Sequence, residues 1–300
     1  MSTVSASLVS RSEAVDFVER VLGLDDIEKR LATDKLVFLN NIIYEYHCKV
    51  PFHNLDLLAL PVAERRIPTT NELKKRGLSG RGGLCYQMNG FLYFVLGALG
   101  YEVTLARGTV NVPGDHVLII ARAVVTSEDM YLIEAGCGHP TLQAIPLDFE
   151  EESSIYTFSF CTIKFVRKEH GIARLHKVYR GSPLFPLPPK DESTSWFSFY
   201  HFNTDPSILE DIAIPMEAPY TNPESIFLRS IRVICFPMGK LLGIKDNAIV
   251  DDQNGQICST ELRDSDAIMK TVCRLFPVLS SPREIVEMAV KMWENVVVDK

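Results

Sequence analysis

Over the first hundred residues, apolar positions recur at helical spacing. The stretch from Ser12 through Val18 reads as a capped helix start, and Asp34 through Tyr46 carries an amphipathic pattern. From Met88, the residues Phe91, Leu92, Val95, Leu96 and Leu99 follow three and four apart until Gly100 can stop the helix. At Tyr101 the pattern changes. Short apolar runs alternate with turns up to about Tyr179, as in Glu102-Val103-Thr104-Leu105, Val117-Leu118-Ile119-Ile120 and Thr162-Ile163-Lys164-Phe165. A barrel or sandwich satisfies that spacing. The run from Gly181 to Pro189, rich in proline, reads as an exposed loop or linker. A mixed strand region follows. A final helix is expected near Pro282 to Val296, with Ile285, Met288, Ala289 and Trp293 on one face.

Cys85 opens the helix that carries Met88, behind the turn Ser79-Gly80-Arg81-Gly82-Gly83-Leu84. A thiol in a first helical turn feels unpaired N–H groups and the positive end of the helix dipole, and both favour the nucleophilic thiolate. The glycines also bring backbone close to the sulfur without bulk.

Two partners lie downstream. His116 follows the turn Asn111-Val112-Pro113-Gly114-Asp115 and opens a strand; the next strand, Met130-Tyr131-Leu132-Ile133, ends at Glu134. A hairpin places both side chains toward its open end, which suggests a Cys85–His116–Glu134 triad of nucleophile, base and a carboxylate that fixes the imidazole tautomer. The register is decisive. If Val125 paired with Met130, Glu134 would face residue 121, roughly 16 Å along the strand from His116. A longer loop from about Ala123 to Asp129 brings Glu134 opposite Leu118, within diagonal reach. The triad therefore requires the long loop, and Thr126-Ser127-Glu128-Asp129 suits one.

At these residues the chain resembles the arylamine N-acetyltransferase family. Arg81-Gly82-Gly83-Leu84-Cys85, with Gln87 and Asn89, matches its nucleophile motif. Pro51-Phe52-His53-Asn54-Leu55 matches a Pro-Phe-Glu-Asn-Leu stretch, and Tyr131 through Gly138 matches the strand bearing the catalytic carboxylate. Phe199 to Asn203, Leu209 to Asp211 and Asn222 to Phe227 resemble the segment entering the family's lid. The resemblance implies an α+β fold with a cysteine-protease-like triad. Residues 1–100 would form a helical bundle carrying the nucleophile, 101–200 a β-barrel carrying His116 and Glu134, and 201–300 an α/β lid. It further implies ping-pong transfer from acetyl-CoA, through an acetyl-cysteine, to an arylamine, hydrazine or hydroxylamine, with no metal. Gly136, Gly138 and Ser225 are then expected near CoA, and Phe52, Cys137 and Phe227 at the acceptor pocket.

Departures from the family pattern carry expectations of their own. Glu134 replaces aspartate and is one methylene longer; a misplacement of ~1 Å can cost ~100-fold in rate, so reduced activity is expected. Cys137 replaces the phenylalanine of Gly-Phe-Gly, which implies a wider or differently shaped acceptor site and puts a second thiol near Cys85. Glu224 would be an awkward neighbour for phosphates. Gln87 is a candidate support for the site, although a solvent-facing or helix-packing glutamine is the commoner case, and His53 reads as a structural hydrogen-bonding group. His139 lies near the site in sequence, whereas His47, His170, His176 and His201 carry no partner spacing and receive no role.

Composition narrows the class. Three hundred residues, 46% of them hydrophobic, bury a large core. Seven scattered cysteines favour reduced thiols and a cytoplasmic protein over a disulfide scaffold. A net charge of −7 argues against general nucleic-acid binding, and no apolar run is long enough to span a bilayer. Cys137-x-His139 is too sparse for a metal site. The expected partners are acyl-CoA and a small amine, with the chain a monomer. The competing readings are a cysteine hydrolase or transglutaminase-like enzyme, and a catalytically weakened binding protein on the same scaffold.

Overall fold

A computed structural model describes residues 8–177 and 195–298. The expected loop at 181–189 lies outside them. The N-terminal third holds helices α1 (Arg11–Arg20), α2 (Ile27–Thr33), α3 (Lys35–Lys49), α4 (Leu55–Leu58), α5 (Thr70–Leu78) and α6 (Cys85–Ala98). α1 starts earlier than its sequence suggests. Its N-cap is Ser10, whose hydroxyl accepts from the Glu13 N–H while the Glu13 carboxylate accepts from the Ser10 N–H. Asp34 caps α3 by accepting from the Val37 N–H.

The strands are β1 (Phe52–His53), β2 (Glu102–Thr109), β3 (His116–Arg122), β4 (Met130–Ile133), β5 (Ile145–Pro146), β6 (Tyr156–Phe158), β7 (Cys161–Lys168), β8 (Gly171–Lys177), β9 (Trp196–Phe202), β10 (Arg232–Cys235), β11 (Leu242–Lys245), β12 (Ala248–Gln253) and β13 (Gln256–Glu261). Eight of them form one antiparallel sheet in the order β5-β4-β3-β2-β9-β8-β7-β6. Its ladder is open between β5 and β6 among the described residues. The 200/201 boundary drawn from the sequence falls inside β9, which runs up the middle of this sheet between β2 and β8.

The second sheet runs β1-β10-β11-β12-β13. Phe52 and His53 come from the helical third, yet they pair with Ile234 and Val233 near the C-terminal end. Strand alternation then divides β10 between two cores. Ile234 joins the large core shared by the N-terminal helices and the eight-stranded sheet. Val233 and Cys235 join a second core with Leu55 and Leu58 of α4 and with α9 (Ser265–Leu275) and α10 (Arg283–Val298). α7 (Leu209–Thr221) and α8 (Ile226–Arg229) connect the two sheets. On α10 the buried face is Val286, Ala289, Val290 and Trp293. Met288, expected on that face, is 48% exposed: the buried stripe is rotated by part of a turn from the one the spacing suggested.

Candidate active site

The residues that the sequence singled out around Cys85 converge. Gly83 bridges to Phe52, its N–H donates to Pro51 O at 3.3 Å, and its carbonyl accepts from the His53 N–H at 3.0 Å. Gly82 has φ +76, and a Cβ there would lie 1.9 Å from Pro51 O, so only glycine lets these two strands of chain meet. Arg81 anchors the turn from below through Asp56, with Nε–Oδ1 at 3.0 Å and Nη2–Oδ1 at 2.9 Å, and its Nη1 donates to Ser281 O. His53 does what was expected of it. Leu55 N–H donates to its Nδ1 and its Nε2 meets Arg81 O at 3.0 Å. Burial holds its pKa down to about 4, so the ring is neutral.

α6 begins at Cys85, which is 7% exposed. Gln87 neither faces solvent nor merely packs. Its Oε1 turns back to accept the Leu84 N–H at 3.1 Å and the Tyr220 hydroxyl at 2.5 Å, which fixes the first turn of the helix.

His116 and Glu134 meet because the long hairpin loop is the one formed. Arg122 pairs with Met130 and Ile119 with Ile133; continuing that register puts Glu134 opposite Leu118. The Asp129 carboxylate accepts the N–H groups of Val124, Val125 and Thr126 and so closes the loop. At the other end of β3, Asp115 does the same for Val110, Asn111 and Val112, setting where His116 enters the strand.

The His116 Nε2–Glu134 Oε2 distance is 2.5 Å, with the two residues 3% and 0% exposed. The carboxylate therefore engages Nε2, not Nδ1, and leaves Nδ1 as the nitrogen to face Cys85. The extra methylene of Glu134 is accommodated by a fixed cradle: Oε1 accepts Asn89 Nδ2 at 2.8 Å and the Gly136 N–H at 2.9 Å. Burial alone would depress the His116 pKa. The adjacent Glu134 charge and the hydrogen bonds with Cys85 and Glu134 outweigh it and raise the value to about 10. Burial alone would raise Glu134; the His116 charge and the His116, Asn89 and Gly136 hydrogen bonds lower it. The pair is thus an imidazolium–carboxylate couple beside the Cys85 sulfur.

The other expected site residues fall as follows. Gly136 lies against the nucleophile: a Cβ on it would sit 3.0 Å from Cys85 Cα. Its N–H is taken by Glu134. Gly138 packs under the Phe52 ring, and Phe52 meets Phe227 edge-on with centroids 6.0 Å apart, so three of the named residues are neighbours. Ser225 uses its hydroxyl within its own turn, donating to Pro219 O and accepting from the Phe227 N–H. Glu224 is paired with Arg229. Cys137 hydrogen-bonds His139 O at 3.3 Å, and burial pushes its thiol pKa up, which keeps it protonated. All seven cysteines are free, and no group of three potential metal ligands occurs among the described residues.

Sequence reasoning assigned no role to His47, Asn89 or Tyr220. His47 is buried and neutral, its pKa lowered to about 4 by burial, and its Nε2 bonds Glu134 O at 3.1 Å. Asn89 belongs to the matched nucleophile motif and sits one helical turn beyond Cys85, so motif and i+4 spacing together were the available signal. No local signal marks His47 or Tyr220, because each reaches the site from a distant element.

A thiol at a helix start with an imidazole–carboxylate couple beside it has the make-up of cysteine-dependent acyl-transfer chemistry. The sequence matches the family model described as N-acetyltransferase over residues 35–280, and the chain belongs to that family. It is 34% identical over 204 residues to the arylamine N-acetyltransferase of Mycolicibacterium smegmatis, covering 65% of this chain and 68% of that one. It is 25% identical over 255 residues to the N-malonyltransferase FDB2 of Fusarium pseudograminearum, covering 77% and 69%. In fold it is similar to Mycobacterium marinum arylamine N-acetyltransferase in complex with CoA, at TM-score 0.74 and 18% identity over 93% of this chain and 99% of the other. It is likewise similar to the Bacillus cereus NAT3 arylamine N-acetyltransferase, described as having a Cys-His-Glu catalytic triad, at TM-score 0.68 and 20% identity over 88% and 97%.

Proposed function

We propose that this chain is an arylamine N-acetyltransferase that moves an acetyl group from acetyl-CoA through Cys85 to an arylamine, hydrazine or hydroxylamine. The observation that carries the reading is the His116–Glu134 couple at 2.5 Å, buried beside a thiol that opens α6.

In the first half-reaction the Cys85 sulfur attacks the thioester carbonyl. The oxyanion that forms faces first-turn N–H groups of α6, which lack partners inside the helix. Collapse breaks the C–S bond to CoA, and His116 gives its proton to the departing sulfur. The acetyl-enzyme then carries a neutral His116. In the second half the acceptor nitrogen attacks the acetyl carbon and His116 takes its proton. The amide leaves, and thiolate and imidazolium are restored. Glu134 stays ionised throughout and holds the ring.

In this reading Phe52 and Phe227 flank the acceptor, and Cys137 leaves room where a family phenylalanine would stand. Gly138 and Ser225 remain the candidates for CoA contact, through backbone groups. The eight-stranded sheet serves as the barrel part, and the second sheet with α9 and α10 as the lid. Cytosolic location and a monomeric state complete the proposal; no helix among the described residues is long and apolar enough to cross a membrane. The hydrolase and binding-protein alternatives are not favoured, because the family match spans the nucleophile and both partners. Similarity to an N-malonyltransferase makes malonyl the second acyl group to test. Steady-state rates with acetyl-CoA and an arylamine varied together test the reading. Parallel double-reciprocal lines are expected; intersecting lines would show that both substrates must be bound at once and would remove the acetyl-cysteine.

A further inference from the structure

Behind Cys137, inside the eight-stranded sheet, lies a charge that the mechanism above does not use. Arg174 on β8 is 0% exposed. Its Nη1 donates to Thr141 Oγ1 at 2.9 Å and approaches Cys137 Sγ at 3.5 Å, and its Nη2 donates to Pro140 O at 3.3 Å. Among the described residues no carboxylate lies within ion-pair distance of it. Glu134, which acts on it at longer range, is committed to His116, Asn89 and Gly136. Arg174 Nε and the buried His176 Nε2 have no hydrogen-bond partner, and Tyr200 Oη has none of ordinary length, although it interacts with the Arg174 guanidinium itself. The three are packed together. Tyr200 pairs with Arg174 across the β8–β9 ladder, the guanidinium stands 5.6 Å from the Tyr200 ring centre and 5.7 Å from that of Phe199, and His176 packs on Phe199.

An unpaired buried guanidinium costs several kcal/mol, and a methionine would fill the same space without that cost. A buried positive charge with its Nε open, His176 Nε2 open beside it and a tyrosine hydroxyl that reaches only that charge mark a place for an anion with two acceptor oxygens. The place adjoins the chemistry. Tyr200 lies 5.2 Å from the His116 ring, and Cys137 follows the glycine that touches Cys85.

We infer that Arg174, with Tyr200 and His176, recognises a carboxylate carried by a substrate of this site. The inference rests on the acyltransferase reading and names its substrate class. Two sources share the chemistry: the free carboxylate of a malonyl-type acyl thioester, or the ring carboxylate of an aminobenzoate-type acceptor. In the first case Cys85 attacks the thioester carbon, CoA departs with the His116 proton, and the distal carboxylate passes unchanged into a malonyl-cysteine and then an amide.

The test measures single-turnover acylation of Cys85 by malonyl-CoA and by acetyl-CoA, and deacylation of acetyl-enzyme by 4-aminobenzoate and by its methyl ester. At least one of the two ratios should exceed tenfold in favour of the carboxylate in the native protein, and which one does so identifies the source. In Arg174→Met that ratio should fall to about one while the uncharged substrate keeps its rate; Arg174→Lys should retain part of the preference. Ratios within twofold in the native protein would overturn the inference, even if the variants fail to fold. So would an equal loss for charged and uncharged substrates in Arg174→Met. Acetyl labelling without discrimination sinks this inference alone; no labelling by either donor sinks the acyltransferase reading with it.

Discussion

Asn89 holds the end of β4 at two points. Its Nδ2 donates to Glu134 Oε1 at 2.8 Å, and its Oδ1 accepts the Ala135 N–H at 2.9 Å. The same Nδ2 also donates to Val117 O, so one amide on the nucleophile's helix ties together the two strands that carry His116 and Glu134. Asn89→Ala removes all three bonds and leaves a buried carboxylate short of a donor. We expect a drop in stability of about 1–3 kcal/mol and a fall in kcat/KM of roughly tenfold or more. A thermal melt together with acetylation kinetics reads both; unchanged kinetics would remove Asn89 from the site's support.

Glu134 can be tested for charge and for reach separately. Glu134→Gln keeps the length and loses the charge, and should lower turnover more than tenfold, because the imidazolium loses its counter-charge. Glu134→Asp keeps the charge but withdraws the carboxylate by a methylene. It cannot span both His116 and the Asn89–Gly136 cradle, so it should also lower turnover, by a smaller factor. A Glu134→Asp variant faster than the native enzyme would show that the cradle is not built for glutamate.

The couple also predicts a pH dependence of stability. The folded His116 pKa is raised from 6.5 to about 10, so its contribution is complete below about 6.5 and is lost as pH climbs toward 10. Glu134 is lowered from 4.5, so its contribution is present above that value and lost as the pH falls through the folded value. Buried neutral His47, His53, His139 and His176, all with lowered pKa values, oppose folding as pH falls below 6.5. The clean readout is the melting-temperature difference between native protein and Glu134→Gln. It should be largest near pH 6 and shrink steadily toward pH 10. A difference that grows with alkalinity would contradict a protonated His116.

Arg81 and Asp56 carry the turn beneath Cys85. Both are buried, and Arg76 also approaches the carboxylate at 3.3 Å. Asp56→Ala leaves the Arg81 guanidinium buried without its carboxylate, so a loss of about 3–5 kcal/mol is expected. Because Arg81 Nη1 also holds Ser281 O, limited proteolysis of the variant should open the segment before α10 first. A melting temperature within a degree of the native value would show the pair to be dispensable.

The sequence made some of this legible for specific reasons. The Cys85 turn could be read because glycine, helix start and thiol sit within a few residues of each other. The His116–Glu134 register could be posed as a demand, because Thr126-Ser127-Glu128-Asp129 suits a long loop and loop length fixes register. What escaped depended on distant pairing. Phe52–His53 joins a strand near residue 233, and β9 inserts between β2 and β8, neither of which a local period encodes. Nothing local marks Arg174, since alternation says which face it takes but not that the face is sealed. Site support by Gln87 could not be told from a solvent-facing or helix-packing amide, because its partner, Tyr220, arrives from α7.

Everything proposed for the chemistry passes through a covalent acyl-cysteine, and intact-protein mass after brief incubation with acetyl-CoA and no acceptor detects it. The native protein should gain one acetyl group, absent in Cys85→Ala and discharged when an arylamine is added. A native protein that stays unlabelled by acetyl-CoA and malonyl-CoA alike, or a Cys85→Ala variant that labels and turns over normally, would contradict it.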